Sequence, residues 1–128
     1  MRSREYIVLT TAGRMAPGWP YRTSASLDGV RCCIDCGSYY PHASAADGTL
    51  YIAPWDADGA QIVALDRRGR AVTGWPYRLP PGSRVAQVEM GSAGQLVVSL
   101  RDCSVQQGCC NEDASRQITL TPAGELAP

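Results

Sequence analysis

The sequence predicts an all-β protein built from repeated antiparallel four-stranded meanders, and three observations carry that expectation. The chain repeats itself: Trp19-Pro20-Tyr21-Arg22 returns as Trp75-Pro76-Tyr77-Arg78. A shift of 56 positions also lays Ile7-Val8-Leu9 on Val63-Ala64-Leu65, Gly13-Arg14 on Gly69-Arg70, and Gly18 on Gly74. A further shift of 55 lays Ile118-Thr119-Leu120 on the same apolar run and Gly124 on Gly69. A period of this length marks stacked or radial units, none of which buries its apolar face alone. Short β-prone runs alternate with tight-turn dipeptides along the chain. No segment sustains a 3.6-residue period between caps, so almost no helix is expected.

The elements follow in order. Residues 5–10 and 15–22 are the last two strands of a first unit, which occupies residues 1–22. A complete unit follows over residues 23–79. Its strands are residues 42–46, ended by Asp47-Gly48, and residues 49–54, closed by Trp55-Asp56-Ala57-Asp58-Gly59. Residues 61–66 form the third, followed by the turn Arg67-Arg68-Gly69, and residues 71–79 form the fourth. Residues 80–128 supply the first three strands of the next unit, at 86–92, 95–101 and 117–121. The signature Gly18-Trp19-Pro20, repeated as Gly74-Trp75-Pro76, falls in the fourth strand. Proline removes a ladder donor there, which an edge strand tolerates. The glycines allow a bend that turns a large indole inward. Trp19 and Trp75 are therefore expected to fill the wedge between units, each burying on the order of 200 Å².

Composition narrows the function classes. The chain has 128 residues, with 12 arginines and no lysine against 12 acidic residues, and a formal net charge of zero. Neutrality without a basic run argues against nucleic acid or an anionic membrane as the main partner. No apolar run approaches the roughly 20 residues of a membrane-spanning helix. The start, Met1-Arg2-Ser3-Arg4-Glu5, enters a strand-like run with no apolar signal core. Either the chain is cytosolic or its true N-terminus lies upstream; the incomplete repeats at both ends favour the second. Six cysteines in loop-rich sequence point to disulfides and an oxidising compartment, hence a secreted or envelope location.

The cadence Ile62-Val63-Ala64-Leu65-Asp66-Arg67-Arg68-Gly69, with Gly74-Trp75-Pro76 and the counterparts in the first unit, resembles bacterial β-propeller repeats of the quinoprotein-like and FG-GAP-like kinds. The resemblance covers nearly all the chain outside the two cysteine-bearing segments. It implies part of a β-propeller and says little about activity, because propellers host many unrelated functions. Known propellers close with about four to eight blades, whereas the chain supplies about two and a half. The resemblance thus implies that the rest of the ring comes from the parent chain or from other subunits.

In such a blade, the segment entering the first strand and the loop between strands two and three open on one face. Residues 23–41 hold Cys32, Cys33 and Cys36, and residues 102–115 hold Cys103, Cys109 and Cys110. Two long loops on one face of a rigid scaffold are where binding sits. The cysteines are disulfide candidates, with Cys103 paired to Cys109 or Cys110 as one local option. Cys33-Ile34-Asp35-Cys36 has the spacing with which two thiolates reach one tetrahedral metal ion, so Cys33 and Cys36, with His42, are the alternative metal ligands. Vicinal disulfides at Cys32-Cys33 or Cys109-Cys110, as in some quinoprotein dehydrogenases, are a third option. Tyr39, Tyr40, His42, Trp55, Asp56 and Asp58 are expected on the same face, where aromatic rings suit a glycan or peptide. Asp56-Ala57-Asp58-Gly59 lacks the distal ligands of a calcium loop and reads as an acidic hairpin tip. No nucleophile–base pair or phosphate loop is visible. The expectation is a non-catalytic binding or scaffold module without a cofactor. The alternative is a fragment of a quinoprotein-like or metal-dependent oxidoreductase.

Overall fold

The computed structural model describes residues 2–25, 41–56, 59–80, 83–103 and 110–128. They form antiparallel β-sheets, with one 3-10 turn at Ser92–Gly94 and no α-helix among the described residues. The first sheet pairs β1 (Arg2–Tyr6) with β2 (Tyr21–Ala25), in register from Arg2↔Ala25 to Tyr6↔Tyr21. The middle sheet contains β3 (His42–Ser44), β4 (Leu50–Ile52), β5 (Trp55–Asp56), β6 (Gly59–Leu65) and β7 (Tyr77–Arg78). The third orders β8 (Ser83–Met90), β9 (Leu96–Cys103) and β10 (Cys110–Leu120) with β9 central.

The middle sheet is in effect a four-stranded meander. β4 and β5 run along one side of β6 in a single register, from Leu50↔Leu65 to Asp56↔Gly59. Ala53-Pro54 interrupts the strand assignment but not the path, since the Gln61 amide donates to Pro54 O at 3.1 Å. Trp55-Asp56, expected within a turn, is therefore strand; Ala57 and Asp58 lie outside the described residues.

The expected continuous fourth strand at residues 71–79 is corrected. Between Ile62↔Tyr77 and Leu65↔Ala71, β6 advances three residues while its partner advances six, a three-residue excess. The first unit repeats this excess between Tyr6↔Tyr21 and Leu9↔Met15. The surplus is the Gly-Trp-Pro segment, looped out of the ladder. Gly18 and Gly74 lie at φ of +91° and +94°, and both Trp–Pro peptide bonds are cis. Proline therefore never competes for a ladder position; it sits outside the strands.

The interval at residues 102–115, expected as a long loop, is also corrected. β9 extends through Cys103 and β10 begins at Cys110, with Cys110↔Cys103 and Asn111↔Asp102 as Cα partners. The register then shifts between Asn111 and Arg116 before resuming at Arg116↔Leu100. Residues 102–103 and 110–115 are therefore strand, bulged after Asn111, while residues 104–109 lie outside the described residues.

Packing makes the middle sheet central. Four consecutive β6 residues, Ile62, Val63, Ala64 and Leu65, are all buried. Val63 and Leu65 join Trp19 and Ile52 in one core, with Tyr6, Val8 and Tyr21 of the first unit against it. Ile62 and Ala64 join Trp75, Val88, Leu96, Val98, Leu100 and Leu120 in another, with Ile118 and Met90 alongside. Alternate residues of one strand thus feed two cores, which is why its sequence is uniformly apolar instead of alternating.

Candidate functional site

Two ends of the sheets differ in character. At one end sit short turns of a common pattern. In each, the first residue's side chain accepts a hydrogen bond from the amide four residues on: Thr10 Oγ1 from Arg14 (3.3 Å), Asp66 Oδ1 from Arg70 (3.0 Å), Thr121 Oγ1 from Glu125 (3.3 Å). The glycine amides of Gly13, Gly69 and Gly124 close the same three turns on Thr10, Asp66 and Thr121 carbonyls. Side-chain acceptors of this kind fix a turn locally by replacing backbone partners.

Each later turn receives the tryptophan of the preceding unit. The Trp19 indole N–H donates to Arg67 O at 2.9 Å, and the Trp75 indole N–H donates to Pro122 O at 3.1 Å. Both rings are 8% exposed. Tyr51 meets Trp75 edge-on, with ring centroids 5.3 Å apart. Backbones approach closely beneath each indole. A Cβ at Gly18 would lie 1.7 Å from Arg68 O, and one at Gly69 would lie 2.7 Å from Gly18 O. At the second joint, a Cβ at Gly74 would lie 2.2 Å from Ala123 O, and one at Gly124 would lie 2.4 Å from Gly74 O. Only glycine permits such contact. The signature Gly18-Trp19-Pro20 and Gly74-Trp75-Pro76 is thus the donor half of a latch between units. Its acceptor half, the turns at residues 66–70 and 121–125, was visible in the sequence only as an aligned glycine column.

Arg67 has a second part in the first latch: its Nε donates to Asp47 O at 2.9 Å, tying the β3–β4 turn to the Trp19 acceptor. The Asp47 carboxyl is held below the ordinary carboxylate range, first by the Thr49 amide on its oxygen at 2.8 Å and further by the Arg67 charge. Asp66 is lowered likewise, first by the Arg70 amide and then by that of Arg68. Burial, with a smaller contribution from the Asp47 charge, raises the Tyr51 phenol.

The opposite end carries those candidate residues that lie among the described ones. The register places the end of β2 at Ala25, the start of β3 at His42, the paired strand ends Asp56 and Gly59, the start of β8 at Ser83 and the Cys103–Cys110 strand ends there. His42, exposed at the start of β3, Trp55, Asp56, Cys103 and Cys110 therefore belong to this end by backbone position. Cys32, Cys33, Cys36, Tyr39, Tyr40, Asp58 and Cys109 lie outside the described residues. Ser83, buried at the same end, accepts a hydrogen bond from Arg116 Nη2 at 3.0 Å. Among the described residues no group of His, Cys, Asp and Glu is placed to hold a metal ion. Among them, too, no helix is long and apolar enough to cross a membrane.

The class these features define is a β-repeat protein whose sheets stack face to face through a recurring tryptophan latch. Comparison of the chain with protein-family models, with curated proteins and with solved structures finds no match.

Proposed function

We propose that the chain is a non-catalytic binding and scaffold module: part of a β-propeller of a secreted or envelope protein, with a disulfide-stapled end that contacts a protein or glycan. The observation that carries this reading is the latch made twice with the same atoms. Two successive joints of one geometry are what a regular array of blades requires, each unit contacting only its neighbours. The short turns lie at one end, and the strand ends at Ala25, His42, Cys103 and Cys110 lie at the other, which fits a division between scaffold and binding surface. The register supports a disulfide within that end. Directly opposed residues of an antiparallel pair have Cα atoms about 4.5–5.5 Å apart, within the span a disulfide bridges. Cys103–Cys110, opposed in the ladder, is the pairing proposed from among those the sequence leaves open.

Intact mass after alkylation without reduction, together with metal analysis of the same sample, tests the reading. The expected result is three disulfides from the six cysteines, no label and no metal, with a non-reduced digest linking Cys103 to Cys110. Six alkylatable thiols, or stoichiometric zinc or iron, would overturn it in favour of a metal-dependent site at Cys33 and Cys36.

A further inference from the structure

The three units share one face by register, and only two of those faces are covered. Val63 and Leu65 of the middle unit lie under Trp19, and Ile118 and Leu120 of the third pack in the core that holds Trp75. The residues of the first unit in the same alignment columns are Ile7 and Leu9. They are 53% and 56% exposed. The matching turn is preformed: Thr10 and Gly13 make the same backbone and side-chain hydrogen bonds as their counterparts. Where Cβ atoms at Gly69 and Gly124 would meet the carbonyl of a partner glycine, one at Gly13 would meet nothing within 4 Å.

We propose that this outer face of the first unit, centred on residues 10–13 with Ile7 and Leu9, is a docking site for a Gly-Trp-Pro segment of a further repeat unit. The chemistry of the occupant is set by the two joints inside the chain. An indole covers the apolar pair at positions 7 and 9 and donates its N–H to a carbonyl of the turn, at the position of Arg67 and Pro122. A glycine carbonyl comes to rest on Gly13. A second intact copy cannot supply these groups, because its own Trp19 and Trp75 are already buried in their joints. The occupant is therefore a segment with an uncommitted Gly-Trp-Pro, and the inference does not depend on the state of the cysteines.

The test uses the full chain and a fluorescein-labelled peptide reproducing residues 72–78, followed by anisotropy. Saturable binding is expected. It should weaken roughly tenfold or more for the Trp75→Ala peptide, a change worth about 1.4 kcal/mol. The chain variants Leu9→Arg and Gly13→Ala should weaken it comparably, with unchanged circular dichroism. Leu9 is exposed, so Leu9→Arg should keep the fold; Gly13→Ala meets no neighbouring atom but adds left-handed strain at φ +79°, so the circular dichroism control bears on it in particular. No saturable binding to the folded chain at millimolar peptide, or equal binding of the Trp75→Ala peptide, would overturn the proposal. So would self-association of the unmodified chain that Leu9→Arg abolishes, which would assign the face to a second copy.

Discussion

At the scale of single residues, the two joints rest on glycine and tryptophan for separable reasons. Trp75 contributes buried area and a directed N–H; Gly74 contributes the space that lets the two turns touch. Gly74 and Gly13 both have positive φ, +94° and +79°. Alanine at either position incurs the left-handed cost of about 1–2 kcal/mol. Only at Gly74 does the new methyl also overlap a carbonyl, of Ala123. Gly74→Ala should therefore lose about 1–3 kcal/mol more than Gly13→Ala in denaturant titration, the range for overpacking. Equal losses would mean that the close approach carries no energetic weight. The turn carboxylates add a pH dependence. Asp47 and Asp66 are held below their unfolded value, so their contribution is present above about pH 4 and is lost as pH falls through the lower folded values. Asp66→Asn should flatten the decline in stability below about pH 4, measured as midpoint denaturant concentration against pH. An acid limb as steep as that of the parent chain would place the dependence elsewhere.

At the scale of elements, β6 shows why the repeat has the residues it has. Its buried run is shared between two cores, so every position from Ile62 to Leu65 is apolar although successive side chains point to opposite sides. The column that holds Val63 in the middle unit holds Ile7 in the first. The same column carries different weight: Val63 is 4% exposed and Ile7 is 53% exposed. Val63→Ala removes two buried methyl-sized groups, about 1.6 kcal/mol of transfer, plus the cavity left behind, for about 2–3 kcal/mol in all. Ile7→Ala should stay within about 0.5 kcal/mol, as a surface change does. Urea titration of both variants checks this, and comparable losses would show that the outer face is buried in solution. The cross-strand pair Glu5–Arg22, at 2.8 Å but exposed on both sides, adds less than about 1 kcal/mol.

At the scale of the whole molecule, the sheets are unequal because a stacked array protects its interior units on two faces and its terminal units on one. The amides of Ala64 and Val72, the latter bonded to Ala64 O at 2.9 Å, sit between two cores. The amide of Ala16, bonded to Val8 O at 2.7 Å, is its repeat equivalent in the first unit, where one face is open. Native-state hydrogen exchange should release Ala16 before Val72, since local opening follows the buried contacts that must be broken. Simultaneous exchange would indicate that the sheets open as one unit.

Although it did not place the ends of the strands at Trp55-Asp56 and after Cys103, the sequence by itself determined the repeat, the β-strand content, the near absence of helix and the places of the short glycine turns at residues 47–48, 67–69 and 93–94. These are local matters: glycine at positive φ, side-chain acceptors at turn starts, and strand-length apolar runs each act over a few residues. It also singled out Gly-Trp-Pro, but placed it inside a strand. Only the tertiary structure looped it out, because the three-residue excess is a property of pairing with β6 and not of the segment alone. The latch acceptors at residues 66–70 and 121–125 were equally hidden, since a carbonyl carries no residue identity to reveal it. The Cα pairing of Cys103 with Cys110 was likewise invisible in the sequence, because register is set by the ladder and not by the cysteines. Distance along the chain, 48 positions for Trp19 to Arg67, is what sequence cannot close; packing of one sheet on the next does.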